Sequence, residues 1–174
     1  EDVTVIECDF CGTTQTVPNS KDENIQGLFN RANTLRMKSE FDKAEQIYEK
    51  IIQSDCTQAE AYWGMVLCKF GIEYVEDPIS FKRIPTCHRT LLDSIISDHD
   101  YKSALNCADV SQKIIYESEA KEINRLQKEI IELSKKEVIR TAGDERLNKL
   151  SHYYLDRYSN DLHLFKDVFI LYNF

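Results

Sequence analysis

Glycine and proline are scarce in this sequence, at five and three in 174 residues. A turn-rich all-β sandwich needs more of both, so the chain reads as mainly helical. Long apolar runs are missing as well. The longest, Val168 to Tyr172, falls far short of the roughly 18 residues of a membrane-spanning helix, so no membrane partner is expected. Positive charge is not in excess: 22 Lys and Arg face 30 Asp and Glu, a net charge of −8, which argues against a nucleic-acid footprint over the whole surface. No Gly-rich phosphate loop, HExxH or GxSxG motif is present. What remains is enough chain for one domain with a core of its own, and a scaffold more readily than an activity.

Cysteines stand at 8, 11, 56, 68, 87 and 107, and only Cys8 and Cys11 are closely spaced. The scattered ones suit a reducing cytosol, where buried Cys acts as a small hydrophobe, so disulfides are not expected and a cytoplasmic location is. No signal peptide opens the chain, and it begins on Glu1 rather than Met, which reads as a piece of a longer protein.

Three segments follow from the pattern. Residues 1–20 form a small non-helical head, with β-prone Val3–Ile6 and Thr13–Val17 on either side of Cys8-Asp9-Phe10-Cys11-Gly12. Residues 21–139 form the helical domain. Ile25, Leu28, Phe29, Ala32 and Leu35 recur at helical spacing, as do Phe41, Ala44, Ile47, Tyr48 and Ile51. Thr57-Gln58-Ala59-Glu60 has the capping-box pattern and predicts a third helix to about Phe70. Leu28 and Tyr62 are 34 apart, and so are Ala32 and Val66, the tetratricopeptide period. Residues 71–90 read as a hairpin-like excursion around Asp77-Pro78, Leu91–Ile96 as a short helix, and Asp100–Leu105 as the start of another that echoes Phe41–Ala44. One long helix is predicted from about Asp109 to Lys136. Residues 140–174 form an aromatic-rich segment containing Tyr153, Tyr154, Tyr158, Phe165, Phe169, Tyr172 and Phe174, read as packing back onto the body or as a dimerisation surface.

The strongest chemical signal is Cys8 with Cys11. A CxxC turn aims two thiolates at one metal and Gly12 permits the tight backbone, so these residues are the candidate zinc ligands. They make half of a four-ligand site. Cys87-His88 is the candidate second pair, although adjacent residues rarely give a good tetrahedral geometry. Glu73, Glu76 and Asp77 are candidates for acid–base work or cation binding, against a plain solvated loop. Trp63 reads as core, with a partner anchor as the alternative. A helical-repeat surface binds peptides or proteins, with self-association as a further use.

Ala61-Tyr62-Trp63-Gly64-Met65-Val66-Leu67-Cys68-Lys69-Phe70-Gly71-Ile72-Glu73-Tyr74-Val75-Glu76-Asp77-Pro78 and Lys82-Arg83-Ile84-Pro85-Thr86, behind the CxxCG knuckle and the first helix pair, resemble the N-terminal region of bacterial TIR-domain proteins. The resemblance covers residues 5–137. It implies a zinc ribbon, then tetratricopeptide-like helices, then a TIR domain. The family's earlier CxxC knuckle is missing here, and no TIR domain is recognisable beyond a strand-like Asp167–Tyr172. The expected fold is therefore all-α, tetratricopeptide-like hairpins with a small β zinc-ribbon remnant. The expected function is a non-catalytic interaction or regulatory module of a TIR signalling or defence protein. The alternatives are a fragment of a TIR-type NAD hydrolase lacking its catalytic part, and a zinc-ribbon nucleic-acid adaptor.

Overall fold

The computed structural model describes residues 3–8, 12, 14–79, 81–89 and 91–141, with residues 136–141 as helical backbone alone. Helices dominate, joined by two small antiparallel strand pairs. Cys11 and the whole aromatic segment from Ala142 onward lie outside the described residues.

The head is a strand pair, β1 (Val5–Glu7) against β2 (Thr14–Thr16), in the register Val5↔Thr16. Between them Gly12 adopts φ +66° and its N–H donates to the Cys8 carbonyl at 2.8 Å, a tight turn that favours glycine.

Helix α1 (Glu23–Met37) starts where Asp22 accepts from Asn24 N at 2.8 Å and Ile25 N at 3.4 Å. It ends in a turn through Ser39, φ 57°, and α2 (Phe41–Ser54) folds back against it. Ala32 and Ala44 are completely buried, and their small size lets these helices close up. Phe29, Tyr48 and Ile51 fill the space around them.

Helix α3 (Ala59–Lys69) is apolar nearly all round, as a helix buried on both sides must be. Ala61 and Cys68 face the first core, while Ala59, Trp63, Val66, Leu67 and Phe70 face a second. The predicted capping box at its start does not form. Asp55 takes the Thr57 N–H at 2.9 Å and the Thr57 hydroxyl at 2.6 Å, so Thr57 is spent as a donor and the cap position passes to Gln58. Glu60 turns inward instead.

Strands β3 (Ile72–Glu76) and β4 (Arg83–Cys87) pair antiparallel from Ile72↔Cys87 to Glu76↔Arg83. The helix predicted over Leu91–Ile96 is a single 3₁₀ turn, Ile95–Ser97, which anchors Ile95 in the second core. Helix α4 (His99–Cys107) begins at Asp98, which accepts from Asp100 N at 2.8 Å and Tyr101 N at 3.2 Å and also pairs with Lys69. Tyr101 and Ala104 are buried, with the same spacing as the buried Phe41 and Ala44 of α2. Packing runs α1 on α2, α2 on α3, α3 on α4. The second helix pair is thus α3 with α4, split by the β3–β4 insertion.

Helix α5 (Val110–Thr141) runs past the expected end at Lys136. A reciprocal cap starts it: Gln112 N donates to Asp109 Oδ1 at 2.9 Å and Asp109 N donates to Gln112 Oε1 at 3.2 Å. Tyr116, Ala120 and Ile123 complete the second core.

Candidate functional site

Helices α1, α3 and α5 turn polar side chains toward a common face. Arg36 comes from α1, Glu60 from α3 and Glu119 from α5. Glu60 accepts from the Tyr116 hydroxyl at 2.7 Å, and Glu119 accepts from Trp63 Nε1 at 3.1 Å. Trp63 stacks on Tyr116 with centroids 5.0 Å apart, so one aromatic pair positions both carboxylates. Tyr48 donates to Asn33 Oδ1 at 2.6 Å beside Arg36.

The β elements lie across this face. Thr16 of β2 sits against Glu60 and Tyr116. Tyr74 of β3 sits between Arg36 and Glu119, under the Arg83 guanidinium, which is 5.2 Å from its ring centroid. Arg83 Nη1 also donates to Gln15 Oε1 at 2.6 Å and so ties the two hairpins together. Strand β3 packs on α1 and α3, and strand β2 packs on α5.

Burial sets the electrostatics here. Desolvation pushes the Glu119 carboxyl up to about 6, opposed by the neighbouring Tyr74 hydroxyl and the Trp63 hydrogen bond and reinforced by the nearby Glu60. Glu60 is raised by the same cause. The Tyr74 and Tyr116 phenols are held well above their usual range, again mainly by burial. Two buried polar atoms, Arg36 Nε and Tyr74 Oη, have no well-formed hydrogen bond among the described residues. Chemically, the raised Glu119 carboxyl is the group of this cluster that gains or loses a proton closest to neutrality.

The sequence candidates distribute differently. Glu73 and Glu76 belong to β3 rather than to a loop. Glu73 Oε2 lies 2.6 Å from His88 Nε2 and 3.3 Å from Ser39 Oγ, which makes it a clasp between the hairpin and the α1–α2 turn. Asp77 organises the hairpin tip: its N–H donates to the Lys82 carbonyl at 2.9 Å, its carbonyl accepts from Phe81 N at 2.8 Å, and its side chain accepts from Ile79 N at 3.2 Å. Cys87 closes β4 with its thiol pushed up to about 11 by burial, while the His88 ring leans on Phe41 at 5.7 Å. Among the described residues no three of His, Cys, Asp and Glu stand together as metal ligands. Cys8 is half-buried on its knuckle, so the described chain supplies one thiol of the candidate zinc site.

The tip is the feature that sequence reasoning missed. Ile79 is 87% exposed, Phe81 55%, Ile84 42% and Val75 37%, all on one hairpin. Phe81 adopts φ 56°, which costs of order 1 kcal/mol for a residue with a bulky side chain. The signal was available: Ile79 and Phe81 are apolar residues beside Asp77-Pro78, where a turn is expected to be polar.

Among the described residues no helix is long and apolar enough to cross a membrane. In comparisons with protein-family models, curated proteins and solved structures, nothing matches the chain.

Proposed function

We propose that the chain is a non-catalytic interaction module: a tetratricopeptide-like helical stack that presents the β3–β4 hairpin to a protein partner. The observation that carries this reading is the hairpin tip, whose apolar side chains point to solvent while Asp77 fixes the loop beneath them. Clustered apolar exposure of this kind marks docking surfaces, and a strained Phe81 is tolerated where display is useful. The matched positions Phe41/Ala44 and Tyr101/Ala104 support the helical-repeat reading. The base of the hairpin packs on α1 and α3, so the partner meets its exposed tip.

A photo-crosslinking residue at Ile79 tests this in the cells that make the chain. A discrete adduct that disappears in Phe81→Asp is expected. Its absence, with a well-folded chain by circular dichroism, overturns the reading. The resemblance to TIR-protein N-terminal regions supports a role in signalling or defence. Zinc at Cys8 and Cys11 is part of the same proposal, and native mass spectrometry checks it. Bound zinc lost in Cys8→Ser is the expected result, and a metal-free chain refutes it.

A further inference from the structure

Two exposed cysteines meet where the helix pairs join. Cys56 lies in the turn between α2 and α3, and Cys107 is the last residue of α4, 51 positions away. Cys107 Sγ is 3.5 Å from the Cys56 carbonyl oxygen. That oxygen is roughly 2.4 Å from its own Cα by standard geometry, so the Cys107 sulfur lies within about 6 Å of Cys56 Cα. Disulfides bridge Cα atoms roughly 4.4–6.8 Å apart; with the Cys107 sulfur about 2.8 Å from its own Cα, the two Cα atoms lie no more than about 9 Å apart, and rotation of both side chains with a small shift of the Cys56 turn closes the rest. Tyr62 lies beside both thiols, and Asp55 is close by.

We infer that Cys56 and Cys107 form a reversible disulfide when the chain meets a low-molecular-weight disulfide oxidant. One thiolate attacks the oxidant RSSR and releases RS⁻ as a mixed disulfide forms. The second thiolate displaces the other RS⁻. Cys56 and Cys107 together lose two electrons and two protons, and RSSR becomes two RSH. The bond ties the α2–α3 turn to the end of α4 and closes a loop that holds α3, the β3–β4 hairpin and α4. It also draws in one wall of a cleft lined by Thr57, Gln58, Cys107, Asp109 and Gln112. The buried Cys68 is not a competitor: it has no exposed surface, and its thiol is pushed up to about 12. Burial, Cys56 and Asp55 all raise the Cys107 thiol, so the reaction runs faster at pH 8.5 than at pH 7.

The reduced full chain is incubated with oxidised glutathione, then digested and mapped by mass spectrometry. A 2-Da loss in a linked peptide containing Cys56 and Cys107 is expected, absent in Cys56→Ser and in Cys107→Ser. The oxidised chain should melt about 10 °C higher, and dithiothreitol should reverse the rise. A stable glutathione adduct at Cys107 without onward linkage overturns the inference. So does linkage of either residue to another cysteine, or no reaction at either. Both serine variants change exposed side chains, and circular dichroism verifies that they fold.

Discussion

Gly64 is the sharpest test of how α2 meets α3. A Cβ added there would stand 2.4 Å from Tyr48 Cζ, with Cε1 and Cε2 at 2.6 and 2.7 Å. The Tyr48 ring cannot simply step aside. It is 1% exposed, its hydroxyl donates to Asn33, and it packs tilted against Phe29 at 6.3 Å between centroids. Overpacking of this kind costs about 1–3 kcal/mol, and a displaced hydroxyl adds about 1 kcal/mol. Ala in place of Gly returns about 1 kcal/mol of helix propensity. Gly64→Ala should therefore destabilise by about 2 kcal/mol. Gly27→Ala is the internal control: a Cβ there meets nothing within 4 Å on an exposed stretch of α1, so it should stabilise by about 1 kcal/mol. Urea denaturation followed at 222 nm reads both. The midpoint should fall by about 1 M for Gly64→Ala and rise for Gly27→Ala. Adding Tyr48→Leu to Gly64→Ala should recover part of the loss, a coupling expected only of touching residues. Equal shifts of the same sign at both glycines would refute the packing argument.

Glu119 has a raised carboxyl, so its contribution to stability is complete below its ordinary value near 4.5 and is lost as pH rises through about 6. Glu119→Gln should thus be more stable than the parent at pH 7.5, by up to about 2 kcal/mol, with the difference closing toward pH 4.5. Denaturation at three pH values would show it, and parallel profiles would count against it. Asp98→Ala removes the α4 cap and the Lys69 partner together and should cost about 2 kcal/mol. Asp98→Asn keeps the cap and should lose less than half of that in the same urea assay. Equal losses would mean that the ion pair, not the cap, is what matters there.

Much of the architecture could be read from residue spacing. The periodic faces of α1 and α2, the Ala32–Ala44 close approach and the echo of Phe41–Ala44 in Tyr101–Ala104 are local patterns that survive folding. The Thr57–Glu60 box failed because Asp55, outside the motif, competes for the same hydroxyl and amide. The polar cluster was illegible for a related reason. Arg36, Glu60, Tyr74 and Glu119 come from four separate elements, and nothing in their spacing says that they converge. By spacing alone Glu60 belongs to a cap and Tyr74 to an excursion. Trp63 was read as core, and it is buried at 1% exposure, but its indole N–H reaching Glu119 depends on where α5 crosses. The hairpin was foreseen, although its acidic residues serve as clasps and tip supports rather than as a loop cluster.

Helix α3 has a consequence for how the molecule comes apart. It contributes to both hydrophobic cores, Ala61 and Cys68 on one side and Trp63, Val66 and Phe70 on the other. Neither core can open without stripping one flank of the same helix and exposing apolar surface that the other core has already paid to order. The chain should therefore unfold in one cooperative step despite holding two cores. In hydrogen exchange the α3 amides should be the last to trade protons, while α1, bordering a single core, opens earlier in smaller excursions.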